Sequence, residues 1–129
     1  MAKVGYIYVR THEAYDKHDV CKLGKTHNIT NRETTYITGE FVKGDFSYVF
    51  EVMLAKMSYA EKKLGEDFKS LGFHVRRGFG GKEFYNKAII PLIKEQLQKH
   101  AIEARELSRD EVKSIARKEY IAKIAKYFN

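Results

Sequence analysis

The sequence predicts a sandwich-like α+β fold: a small three-stranded antiparallel sheet flanked by helices in the order β-β-α-β-α, followed by two additional C-terminal helices. Three observations predict it. Segments 4–10, 20–26 and 46–54 are rich in aromatic and β-branched residues. Stretches after the second and third of these carry the Ser/Thr-x-x-Glu pattern of a capping box. Beyond residue 85 the apolar residues recur mostly at helical spacing.

VGYIYVR (4–10) reads as the first strand, and VCKLGKT (20–26), reached through the polar THEAYDKHD, reads as its antiparallel partner. Thr30 with Glu33 opens a short helix that Gly39 can close. FSYVFEVML (46–54) is the third strand. Ser58 with Glu61 caps a helix whose inner face is Ala60, Leu64, Phe68 and Leu71, ending at Gly72. Residues 73–85 read as irregular around the turn GFGG. A tail helix then spans about 86–107, with Pro91 in its opening turns. Ser108 and Glu111 cap a last helix carrying the stripe Val112, Ala116, Tyr120, Ile124 and Phe128, whose spacing suits packing.

With 129 residues, 43% hydrophobic and 32% charged, the chain suits one domain with a helical extension. No apolar run reaches the roughly 20 residues of a membrane span, and the N-terminus lacks the order of a secretory signal, so an intracellular, non-secreted protein is expected. A lone Cys21 forms no internal disulfide and reads as a small buried residue. The net charge of +7 makes a polyanion a suitable partner. Its excess sits late in the chain, with ten Lys and Arg against six Asp and Glu over 87–129. Lys22, Lys25 and Arg32 form one local basic group; Arg76, Arg77 and Lys82 form another around GFGG, as suited to phosphate contacts as to a solvated surface. His12, His18, His27, His74 and His100 show no zinc spacing with Cys21.

GKT (24–26) ends like a nucleotide-binding P-loop, but that loop needs a glycine five positions before its GK pair, where Asp19 stands. A carboxylate there repels phosphate, so nucleotide hydrolysis is set aside.

The pair YIYVR (6–10) and KLGKT (22–26), with Arg32 on the following helix, resembles the GIY-YIG nuclease superfamily. Tyr6 stands for the first glycine of the first motif, beside Gly5, and Lys22 for the first tyrosine of the second. That lysine is similar to a branch found in phages and large DNA viruses. The resemblance covers roughly residues 4–85. It implies a nuclease domain over 1–85; residues 86–129 lie outside it and read as a helical extension packed on or beside that domain, whose apolar stripe also suits a homodimer through its helices.

The resemblance further implies a metal-dependent endonuclease acting on DNA: Tyr8 as general base, Arg32 on the phosphate, Tyr36 orienting an oxygen, and Glu61 binding Mg²⁺ or Mn²⁺. GKEFY resembles a terminal motif of the viral-type branch and adds Glu83 as an assisting residue. The chemistry suits these residue types. A tyrosine of pKa near 10 needs a nearby cation, here Lys22, to act as a base near neutrality. Arginine's planar fork holds two phosphate oxygens, Lys25 can neutralise backbone charge, and one carboxylate suffices for a cation that keeps several waters. Two other classes fit the same residues: a non-catalytic nucleic-acid-binding module on this fold, and a protein-interaction domain working through the tail helices.

Overall fold

The structure is a computed structural model that describes residues 3–39, 44–75 and 83–127. Its centre is β1 (Val4–Thr11), paired on one side with β2 (Val20–Thr26) and on the other with β3 (Asp45–Met53), both antiparallel. Tyr8 lies opposite Gly24, and Arg10 opposite Lys22. A one-turn helix, α1 (Glu13–Asp16), occupies the expected β1–β2 connection. Helix α2 (Ile29–Gly39) follows β2, and α3 (Leu54–Ser70) follows β3 without a loop.

The sheet is five-stranded rather than three-stranded, in the order β4-β2-β1-β3-β5. β4 (Phe84–Asn86) pairs with Val20–Lys22, and β5 (Ala104–Glu106) pairs with Phe50–Val52. At three residues each, these strands are too short for alternation to distinguish them from loop or helix. The long tail helix is accordingly broken. Residues 87–92 form a 3-10 turn containing Pro91, and only Ile93–Lys99 is α-helical (α4). Ala101 then takes a left-handed conformation (φ 56°), while the Ile102 amide donates to the Leu97 carbonyl at 2.9 Å. That C-terminal closure turns the chain into β5. The last helix, α5 (Arg109–Ala125), begins with the predicted capping box of Ser108 and Glu111.

Strand alternation sends β1 side chains to two different environments. Ile7 and Val9 join Leu23, Phe50 and Val52 against Ala60, Leu64 and Phe68 of α3 and Ile93 and Leu97 of α4. Burial of each such large apolar side chain contributes about 1.5–3 kcal/mol, making this the main core. Cys21 lies within it, its thiol pushed up to about 12 by burial, and is unreactive packing. On the opposite face, Tyr6, Tyr8 and Val49 meet Ile29, Tyr36 and Leu107, with Val112, Ile115 and Ala116 of α5 against them. The packed face of α5 is thus centred on Val112, Ile115 and Ala116. Tyr120, expected in the stripe, is 55% exposed, and Phe128 lies outside the described residues. No helix among the described residues is long and apolar enough to cross a membrane.

Candidate functional site

Tyr8, Arg32 and Tyr36 come together on the α2 face of the sheet. Tyr8 is drawn into the sheet by alternation, while Arg32 and Tyr36 stand four residues apart and so share one side of α2. The Tyr8 and Tyr36 hydroxyls are 2.6 Å apart, and Arg32 Nε donates to Tyr8 Oη at 2.9 Å. Arg32 also reaches Tyr36 Oη at 3.5 Å. Burial raises the Tyr8 pKa, with hydrogen bonds from Tyr36 and Arg32 pulling it back and the Glu83 charge adding to the rise. Tyr36 is raised as well, first by burial and then by sharing its hydrogen bond with Tyr8. Burial works against the Arg32 cation, but the two phenol oxygens outweigh it and hold the guanidinium firmly protonated.

Gly24 has a steric reason to be glycine. A Cβ built there would lie 2.5 Å from Tyr8 Cζ, so the ring of Tyr8 rests directly on the β2 backbone. Gly24→Ala is expected to displace that ring and cost about 1–3 kcal/mol, a typical overpacking penalty, measurable as a lower urea midpoint with an unchanged slope.

Lys22 is placed by β2 on the same face, with Nζ 4.8 Å from the Tyr36 ring centroid and 5.1 Å from that of Phe84, and 3.7 Å from Glu83. The cation that meets the Tyr8 hydroxyl directly is Arg32; Lys22 caps the neighbouring tyrosine ring instead.

Glu61 rises from α3, on the other face of the sheet, beside Leu23 of β2. Its predicted capping role is absent, because α3 begins at Leu54 and Ser58 lies inside the helix, accepting a hydrogen bond from Lys25 Nζ at 2.8 Å. Glu61 is therefore available to the cleft. Lys25 Nζ lies 3.9 Å from it. Burial raises the Glu61 pKa, Lys25 lowers it, Glu83 raises it further and Arg32 lowers it. Glu61 and Glu83 line one cleft of about 260 Å³ with Leu23, Gly65 and Tyr85. Glu83 raises the phenol pKa of Tyr8 and Tyr36 as well as that of Glu61, so the carboxylates and the tyrosine–arginine cluster share one electrostatic environment across β2. β4 pairs with β2 as far as Lys22, and the Leu23 amide donates to the Glu83 carbonyl at 3.0 Å, which brings Glu83 alongside β2.

No group of three or more His, Cys, Asp or Glu among the described residues is placed to hold a metal ion. Three carboxylates, Glu61, Glu66 and Glu83, line the cleft together with Lys62 and Lys69; Glu61, raised by burial and by Glu83, and Glu83 itself are the hard oxygen donors that could hold a divalent cation there. Arg76, Arg77 and Lys82 lie outside the described residues.

Two further residues fix α2, and neither carries a sequence signature of its own. Arg10, completely buried, pairs with Glu33 of α2 at 3.0 Å and lies 4.3 Å from the Tyr36 ring centroid and 4.8 Å from that of Phe46. Glu33 thus serves the sheet rather than the expected box with Thr30. At the start of α2, Glu119 of α5 accepts from the Ile29 and Thr30 amides, each at 3.0 Å. The Thr30 hydroxyl donates to the Ala116 carbonyl at 2.9 Å, and Asn28 Oδ1 accepts from the Asn31 amide. A carboxylate at a helix N-terminus satisfies otherwise unpaired donors and favours the helix dipole. α5 therefore sets the position of the helix that carries Arg32.

Fold and site together define a basic α+β domain with a tyrosine–arginine cluster on one face of the sheet and a carboxylate-lined cleft beside α3 on the other. The chain belongs to the T5orf172 domain family, whose family model matches residues 5–121, including α4, β5 and most of α5. Nothing among curated proteins or solved structures matches it.

Proposed function

We propose that the chain is a metal-dependent endonuclease that hydrolyses DNA phosphodiester bonds. The observation that carries this reading is the contact of Arg32 Nε with the Tyr8 hydroxyl, with Tyr36 completing the cluster. A guanidinium and a phenol in contact pair a base with a charge stabiliser at one spot. The T5orf172 family, a phage-associated group in an endonuclease-like context, and the GIY-YIG resemblance of the β1–β2 pair support the same reading.

In this reading Tyr8 Oη takes a proton from the attacking water as the water oxygen bonds to phosphorus and the P–O ester bond breaks. Arg32 turns its remaining N–H groups to the phosphate oxygens, where negative charge gathers. Tyr36 holds the Tyr8 oxygen in place and orients a phosphate or leaving-group oxygen. Lys22 and Lys25 add positive charge beside the strand, and Glu61, assisted by Glu83, would hold Mg²⁺ or Mn²⁺. When bound, that ion supplies Lewis-acid stabilisation to the phosphate.

Because burial keeps Tyr8 above the ordinary tyrosine pKa, the phenolate is a small fraction at neutral pH. A phenolate base therefore predicts a turnover rate that climbs about tenfold per pH unit from near neutrality into the alkaline range. Initial nicking rates at saturating plasmid and Mg²⁺ measure this, and the slope is expected to disappear in Tyr8→Phe. A plateau already reached below pH 8 would exclude Tyr8 as the base. Salt-sensitive DNA binding with no cleavage in Mg²⁺ or Mn²⁺ would identify a non-catalytic nucleic-acid-binding domain instead.

A further inference from the structure

Beyond Arg32, the same side of α2 continues into a second cleft. Asn28 stands four residues before Arg32, and the Arg32 amide bonds to the Asn28 carbonyl at 3.2 Å, so Asn28 lies about one helical turn before Arg32, with Asn31 next to Arg32 in sequence and one turn from Asn28. The cleft they open, about 590 Å³ in volume, is closed from the α5 side by Lys123, Lys126 and Tyr127. Both lysines are exposed, and Tyr127 is 79% exposed. Neither lysine is ion-paired among the described residues. Glu119, the one carboxylate lining the cleft, is committed to the Ile29 and Thr30 amides. The cleft thus presents two uncommitted cations, two side-chain amides and one exposed aromatic ring.

The geometry points to a second nucleic-acid subsite here: Lys123 and Lys126 take phosphates of the strand leaving the Arg32 site, and Tyr127 stacks on an exposed base. The proposal rests on the nuclease reading for the identity of its ligand. The physical case is one of charge and shape. Ammonium groups on a strand's path neutralise phosphates without reading sequence, amides hydrogen-bond phosphate and sugar oxygens, and an exposed tyrosine offers a face to any unpaired base. The rigid tie between Glu119 and the start of α2 fixes this surface relative to Arg32.

The test uses the full chain in EDTA, with fluorescence anisotropy of a short labelled duplex and of the matching single strand across a salt series. Lys123→Ala with Lys126→Ala is expected to flatten the duplex dependence of log K on log salt by about 1.8, the loss of two phosphate contacts. Tyr127→Ala is expected to weaken the single strand about tenfold. A control pair on the far side of the sheet, Lys94→Ala with Lys99→Ala, should change neither. A wild-type chain that binds DNA, with an unchanged slope in the Lys123/Lys126 variant, overturns the subsite and leaves the proposed activity standing. A wild-type chain that binds neither probe overturns both.

Discussion

Arg32→Ala is expected to lower the rate of metal-dependent DNA nicking at saturating substrate by about 10²–10³-fold, the usual effect of removing one well-placed donor to developing charge. The proposed mechanism gives that residue two tasks. Its Nε holds the Tyr8 oxygen at 2.9 Å, and in that mechanism its partly exposed remainder meets a phosphate. Loss of the side chain leaves the Tyr8–Tyr36 hydrogen bond in place, so circular dichroism should show an unaltered fold. Arg32→Lys should rescue little, because a lysine can supply charge but cannot fork between a phenol oxygen and a phosphate. Recovery of most of the activity in that variant would show that charge alone matters at this position.

Glu61→Gln is expected to abolish nicking in Mg²⁺ without lowering the melting temperature of the metal-free protein at neutral pH. The sign follows from the direction of the Glu61 shift. Its folded-state pKa is raised, first by burial, then further by Glu83 after the opposing pull of Lys25. A carboxyl raised on folding favours the native state in its protonated form. That contribution is complete below the unfolded pKa and is lost as pH rises through the folded value, so the charged form at neutrality is the less stable one. Replacing it with a neutral isostere should leave the melting temperature level or slightly higher, while removing the hard anionic oxygen a divalent ion needs. A marked drop in melting temperature would mean that the ion pair with Lys25, at 3.9 Å, is the real purpose of the residue.

Much of this site was legible in the sequence because its parts obey local periodicities. Tyr6, Tyr8 and Arg10 alternate on β1, and Arg32 and Tyr36 are bound to share a helix face whatever surrounds them. The register that sets Tyr8 against Gly24 follows from pairing those two strands. What escaped was set by distant partners. Thr30-x-x-Glu33 has the letters of a capping box, yet Arg10 draws Glu33 to the sheet and Glu119, 89 residues away from Thr30, takes over the end of the helix. Ser58-x-x-Glu61 misled in the same way, since Met53 extends directly into α3 and leaves no terminus at Ser58. β4 and β5 carried too few residues to declare a period, and the left-handed turn at Ala101 has no glycine to announce it.

The proposal joins two half-sites that approach β2 from opposite faces, the phenol–guanidinium cluster beneath α2 and the carboxylate cleft beside α3. Crystals grown with a short DNA duplex and Mn²⁺ test that union most directly, through the anomalous signal of the metal. One peak is predicted on the Glu61 carboxylate, sharing a phosphate group with the guanidinium of Arg32. A peak held away from Glu61, or a phosphate bound at Arg32 with the Glu61 carboxylate still turned to Lys25, would contradict it.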